Sequence, residues 1–287
     1  MPLIFRPIDA GNGTSLEDAT SVYGYAGPVG PSDADPRLLA ELVTGCTTHL
    51  RARGTVSLFS RLHPLLDRAA IDATDVVEAG ATASIDLTGT PAALWSATRS
   101  GHRNGINRLR REGFVCERRG MAGLDTFVAI YESTMRRLDA GGHYFFAREH
   151  YEALVDPERG AMELFVVVDP AGAPAAVGLF SVRCGIAQYH LSGATEEHRR
   201  SAPTTLLLDE ARTWAKAQGA TVLHLGGGLG GAKDSLFDFK SGFGTGRHAF
   251  RLWTRVLRPD VYRELEDARR RTRGDADPRF FPTYRAP

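Results

Sequence analysis

Cysteine is scarce: Cys46, Cys116 and Cys184 are the only three in 287 residues. They form neither an even framework nor a metal-ligand spacing. A disulfide-stapled scaffold and a cysteine zinc module are therefore excluded, and reduced thiols in the cytoplasm are the simple reading. Long apolar runs are missing too. The opening MPLIFRPIDAG lacks the apolar core of roughly 7–15 residues that a secretory signal needs, and no later stretch reaches the ~20 that span a bilayer. A soluble, cytoplasmic protein without stable membrane association is expected. Charge of one sign is not in excess either, the net value being +1. No global basic field advertises nucleic acid, so any RNA contact must come from a local patch. Ser-His-Asp order, zinc signatures and HExxH are also absent, and no metal is expected.

What the chain does have is concentrated in LHLGGGLGGAKDSLFDFKSGFG, Leu223–Gly244. A strand runs into glycines at 226–228, 230 and 231, then into an aromatic helix around Phe239-Lys240-Ser241-Gly242-Phe243. Such glycine density lets backbone N–H groups approach a ligand, or lets two elements touch. Gly226, Gly228 and Gly231 satisfy the dinucleotide pattern G-x-G-x-x-G, but Arg247-His248-Ala249-Phe250-Arg251 stands where its acidic residue belongs. The P-loop pattern fails as well, because Ala232 follows Gly231 and Asp234 follows Lys233.

Periodicity predicts an α/β chain. Pro2 to Pro7 reads as a strand, Gly11 to Pro36 as turn-rich, Pro36 to Arg53 as a helix and Thr55 to Phe59 as a strand. Ala83 to Leu87 is a further strand, and a helix capped by Thr90 with Pro91 at its first position runs to Arg111. Seven arginines lie from Arg99 to Arg119. Arg99, Arg103 and Arg110 share a helical face, either a solvated surface or a phosphate-facing stripe. A domain boundary is placed near Gly120–Gly123, dividing residues 1–121 from 122–274, with 275–287 as a tail. Helices over Ala122–Leu138 and Ala147–Val155 precede a strand meander over Glu163–Val168, Ala175–Val182 and Ala187–Leu191. The helix after Pro203 carries Leu207, Leu208, Ala211, Trp214 and Ala215 on one face, with Asp209, Arg212 and Lys216 on the other. Strand Val222–Leu225, helix Asp234–Gly242, strand His248–Leu257 and a charged terminal helix to Arg273 complete the order.

The order β-β-β-α-β-α-β over residues 160–258 resembles the GNAT acyltransferase fold. YGYAGP (Tyr23–Pro28), FSRLHPLL (Phe59–Leu66), YESTMRRLDA (Tyr131–Ala140), HYFF (His143–Phe146), QYHLSGATEE (Gln188–Glu197) and the glycine segment are similar to the Fem-type aminoacyl-tRNA-dependent transferases. That resemblance implies tandem GNAT-like domains with mixed sheets, the N-terminal one shortened relative to the family. It implies transfer of an amino acid from aminoacyl-tRNA to an amine, on a peptidoglycan precursor or a peptide-like metabolite, with no cofactor. CoA-dependent GNAT enzymes place a glycine turn before the main helix; Arg199-Arg200-Ser201-Ala202-Pro203-Thr204 has no glycine, and Pro203 removes a donor. An acyl-CoA or carrier-thioester N-acyltransferase and a catalytically silent RNA- or peptide-binding relative stand as alternatives.

The resemblance also implies site residues. Lys240 meets the phosphate or ribose end of the tRNA and stabilises developing charge; otherwise its stem covers apolar surface. Phe239 and Phe243 stack on the terminal adenine or pack in the core. Arg137 and Tyr144 form an acceptor clamp or an interdomain bridge, and Tyr23, Tyr25, Arg61 and His63 wall the acceptor cleft, unless His63 is a structural imidazole. Amides near Ser192 and Gly193 form an oxyanion hole on the strand that bears His190. His190, Asp234 and Asp238 are the possible bases, and Arg247 joins Arg99, Arg103 and Arg110 as tRNA contacts.

Overall fold

The computed structural model describes residues 1–9, 15–31, 33–66 and 71–287. The strands are β1 (Leu3–Asp9), β2 (Ser15–Ser21), β3 (Thr55–Arg61), β4 (Val76–Asp86), β5 (Val115–Arg118), β6 (Glu163–Val168), β7 (Pro174–Arg183), β8 (Ile186–Ala194), β9 (Val222–Gly227) and β10 (Gly246–Val256). The helices are α1 (Pro36–Arg53), α2 (Pro91–Ala97), α3 (Ser100–Arg111), α4 (Leu124–Arg137), α5 (Arg148–Val155), α6 (Thr204–Ala217), α7 (Ser235–Ser241) and α8 (Pro259–Arg273). Contacts gather them into two compact units, Met1–Gly80 with His248–Pro287, and Ala81–Arg247. The sequence boundary near Gly120–Gly123 falls inside the second unit, and the first unit is discontinuous because β10 and α8 return to it.

In the first unit the strand order is β1-β2-β3-β10. The turn-rich reading of residues 11–36 missed β2, whose polar sequence SLEDATS carries no apolar run; residues 11–14 and 32 of that stretch lie outside the described ones. Residues 275–287 are no free tail. Asp18 on β2 is fully buried and accepts from Arg6 Nε at 2.7 Å, from Tyr284 Oη at 3.1 Å and from Arg285. Tyr284 also lies 2.8 Å from Ser57 Oγ. A buried carboxylate is tolerated only when its lone pairs are met in this way.

The second unit holds strands β4-β9-β8-β7-β6-β5. On β6, Phe165 and Val167 join the core beneath α3 and α6, with Ile106, Leu109 and Leu206–Leu208. Leu164, Val166 and Val168 face the other way, against Phe127, Ile130 and Tyr131 of α4 and Tyr151 of α5. Burial on both faces explains why ELFVVV reads as one apolar run rather than an alternation. The parallel β8–β9 pair needs a crossover, which α6 supplies.

Two features of this unit were not legible. The single helix expected over Pro91–Arg111 is broken at Thr98-Arg99, which are extended. The polar face expected on α6 is partly interior: Asp209 and Arg212 are 3 % and 5 % exposed and paired with each other. Arg212 also donates to Thr98 Oγ1 at 2.8 Å and Leu94 O at 3.2 Å. The buried guanidinium thus caps the end of α2 and fixes the break.

Candidate active site

The site is built where two neighbouring strands part. β8 and β9 pair only at Ile186↔Val222, Ala187↔Leu223 and Gln188↔His224, yet β8 continues to Ala194 and β9 to Gly227. At the last pair, Gln188 Oε1 lies 2.9 Å from His224 Nδ1. An amide oxygen only accepts, so this bond places the imidazole proton on Nδ1.

On its other edge β8 carries a bulge. Tyr189 lies opposite Phe180 and Ser192 opposite Gly178, so His190 and Leu191 together oppose one residue. Strand residues three apart ordinarily point to opposite faces. The bulge brings Tyr189 and Ser192 to the same face, and the Tyr189 hydroxyl donates to Ser192 Oγ. Tyr189 stacks on Phe180 with ring centroids 5.0 Å apart, and burial pushes its phenol up to about 12, keeping it a donor. Amide directions follow from Thr195, whose N–H reaches Ala175 O at 3.0 Å on the β7 side. Alternation along the strand turns the Gly193 N–H towards β7 and the Ser192 and Ala194 N–H groups towards the parted side. Ala194 N donates to Thr134 Oγ1 at 3.2 Å. Ser192 N–H is the amide that faces the opening.

Lys240 reaches the same place from α7. Asp234 caps this helix through Phe237 N at 2.9 Å and closes the glycine loop through Leu229 N at 2.8 Å. A Cβ on Gly228 would come within 2.1 Å of Asp234 Oδ1 and 2.3 Å of Ala232 O, so the loop requires glycine there. Seven residues do not sustain a helix alone, and the start of α3 clamps them. Arg99 grips Asp238 at 2.8 and 2.9 Å, Arg99 N donates to Gly242 O at 2.7 Å, and His102 Nε2 lies 2.8 Å from Phe239 O. So held, Lys240 Nζ donates to Gly227 O at 2.8 Å, at the end of β9. It also lies 5.6 Å from the centroid of the Tyr189 ring. Burial lowers the Lys240 ammonium to about 8, with Asp234 opposing the shift.

The structure brings Lys240, Tyr189 and Ser192 together and reassigns several neighbours. Gly193 is needed for packing: a Cβ there would meet Thr134 Oγ1 at 2.7 Å and Ile130 O at 2.9 Å. His190 is pushed down to about 4, by burial first and by His150 second, which makes it a poor base near neutrality. Asp234 is lowered by backbone N–H bonds that outweigh its burial, and Asp238 by its bond to Arg99. Neither carboxylate suits base chemistry near pH 7. Phe243 is fully buried in the core, so it cannot stack on a ligand. Phe239 packs against that core and lies 5.1 Å from the His102 ring. Arg137 pairs with Glu196 at 3.1 Å and donates to Ala194 O at 3.3 Å. Tyr144 offers its carbonyl to Tyr131 Oη at 2.9 Å and packs on His143.

Each arginine expected in the stripe has partners within the protein. Arg99 precedes α3 and clamps α7. Arg103 donates to Ser96 O and Thr98 O at 2.9 and 3.0 Å. Arg110 pairs with Asp209 and Glu210 at 2.8 and 2.6 Å. Arg247 is spread over the carbonyls of Gly244, Gly246 and Ser241. These cations serve protein carboxylates and carbonyls. In the first unit, Tyr25 packs edge-on against His63 and Phe250 at 5.7 and 5.6 Å. His63 Nδ1 accepts from Leu65 N at 3.2 Å, as a structural imidazole would. Arg61 lies over Phe59 at 5.0 Å, and Tyr23 is exposed.

Two parallel strands that part where one of them is bulged, joined by a crossover helix, are the architecture of the GNAT fold. The GNAT acetyltransferase-domain model matches residues 96–241, half of the chain, and the protein belongs to that family. Among solved structures it is similar to FemX, at 15% identity and a TM-score of 0.68, covering 91% of this chain and 85% of FemX. It is also similar to L-PGS from Bacillus licheniformis, at 17% identity and a TM-score of 0.58, covering 87% and 79%. A third is the C-terminal domain of a putative lysylphosphatidylglycerol synthetase from Agrobacterium fabrum, at 16% identity and 0.56, covering 83% and 77%. At these identities the likeness is one of fold. No curated protein sequence matches the chain. No described helix is long and apolar enough to cross a membrane.

Proposed function

We propose that the split-strand site transfers the aminoacyl group of an aminoacyl-tRNA to an amine, forming an amide without coenzyme A. The observation that carries this reading is the entry to α6, where GNAT enzymes that use CoA hold its pyrophosphate on free amides. Here Ser201 N donates to His198 O at 2.9 Å, Ala202 N to Arg199 O at 3.1 Å and Thr205 N to Ala202 O at 2.9 Å. Pro203 has no N–H. Each charge-assisted bond forgone costs a pyrophosphate ~1.5–3 kcal/mol, and the residues present do not fit that group. The shared fold with FemX and the sequence words that resemble Fem-type transferases support the tRNA donor. Such a donor places the reaction in the cytoplasm.

A neutral amine would attack the ester carbonyl, and the carbonyl oxygen would become an oxyanion within reach of Ser192 N–H. Its collapse would break the acyl C–O bond and release the terminal ribose oxygen of the tRNA, which takes up a proton and leaves as the hydroxyl. Lys240 would supply positive charge at the nucleotide end of the donor. The ester is already activated, so orientation and charge stabilisation dominate. With His190, Asp234 and Asp238 poorly matched as bases, the amine proton would leave through the substrate's own groups or solvent. A peptide-like metabolite or a peptidoglycan precursor fits the acceptor role. The family's acetyltransferase description favours a second reading, N-acylation from acyl-CoA or a carrier thioester. Incubating the protein with charged tRNA and candidate amines separates them. RNase-sensitive amide formation is expected; CoA release with acyl-CoA in its place would overturn the tRNA reading, and tight tRNA binding without product would mark a silent relative.

A further inference from the structure

The proposed reaction uses the Ser192 amide but leaves the hydrogen bond between the Tyr189 and Ser192 hydroxyls without a role. Tyr189 donates into Ser192 Oγ, which occupies one oxygen lone pair and leaves the serine its own hydrogen to give away. A hydroxyl that rotates freely offers its hydrogen in many directions; one anchored by a phenol does not. Tyr189 is in turn immobilised by its stack on Phe180 and by the Lys240 ammonium over its ring. The residue whose hydroxyl is held this way is the one whose amide faces the parted strands. We infer that Tyr189 is a positioning residue, fixing the Ser192 hydroxyl as a second oxyanion donor beside the Ser192 amide. This rests on the acyl-transfer reading, though not on the identity of the donor.

The bulge supports the assignment. Without it, Tyr189 and Ser192 would face opposite sides of β8 and the bond would be impossible. Packing alone would be served by phenylalanine, since the ring stack on Phe180 needs no hydroxyl.

A double-mutant cycle tests the inference, using kcat and KM for Tyr189→Phe, Ser192→Ala and the double variant, with thermal melts as a check on folding. Removing one oxyanion donor costs ~10²–10³ in kcat in a serine protease, which also passes through a tetrahedral oxyanion. Ser192→Ala should therefore lose at least tenfold in kcat, and Tyr189→Phe a smaller factor, with KM little changed in both. The double variant should be no slower than Ser192→Ala, because the phenol then has nothing to position. Ser192→Thr, which keeps the hydroxyl, should recover most of the rate. Losses that multiply in the double variant, or an unchanged kcat in Tyr189→Phe, would overturn the inference. If charged tRNA gives no product with the wild type but acyl-CoA does, the tRNA reading falls and the cycle is measured on acyl-CoA. No product from either donor would overturn both.

Discussion

Helix α3 with the Arg99 that precedes it, and the C-terminal end of α7, both present cations, and they use them in opposite ways. Arg99, Arg103 and Arg110 are each satisfied by carboxylates or helix-end carbonyls of the protein itself. Lys240 is wrapped by protein but hydrogen-bonded to one neutral carbonyl. Burial therefore presses on its charge, and its ammonium falls to about 8. A satisfied guanidinium gains little by meeting a phosphate, since it must first give up its partners. A desolvated ammonium on a neutral acceptor gains much. The proposed donor contact therefore rests on unmet charge at Lys240 rather than on the density of positive residues along the chain.

That contrast can be broken experimentally. The largest effect expected is from Lys240→Ala, which should lower turnover at least tenfold with the fold intact by circular dichroism; an undiminished rate would remove Lys240 from the reaction. Next comes pH. Lys240 loses its proton near pH 8 in the folded protein, below its ordinary 10.5. If the cation is the working form, kcat/KM should fall as pH rises through about 8, by up to tenfold per pH unit. Lys240→Arg should move that limb upward, and a limb at the same pH in that variant would assign it to another group. The folded state binds this proton less tightly than the unfolded chain, so the same residue should make stability rise between about pH 8 and 10.5. The smallest effect is expected from Arg99→Ala with Arg103→Ala. Turnover should drop a few-fold as α7 loses its clamp, while the salt dependence of tRNA binding stays unchanged. A slope flatter by more than one phosphate contact, ~0.7–0.9 in log–log units, would restore the stripe.

Much of the fold was readable because its signals are local. Pro36–Arg53 and Glu163–Val168 were bounded correctly by Pro, Gly and apolar periodicity. β2 escaped because alternating polar residues on a strand look like loop, and β5 because four residues carry too little pattern. The break between α2 and α3 depends on Arg212, more than a hundred positions away, which no window along the chain can see. In the candidate site, Lys240, Ser192 and Gly228 stood out by residue type and setting. Tyr189 lay inside a recognised word, yet its partnership with Ser192 depends on a register shift between strands.

From the residues alone came the α/β class, the order of most elements, the resemblance to Fem-type transferases and the lysine set among aromatic rings. Those properties follow from short-range chemistry: periodicity, caps, turn residues and the glycines that one loop must have. Only folding in three dimensions decided which cations are already spent, which carboxylates are too well held to act as bases, and which two hydroxyls meet. These depend on burial and on partners distant in the chain, and the free energy of a charge is set by what surrounds it rather than by what precedes it.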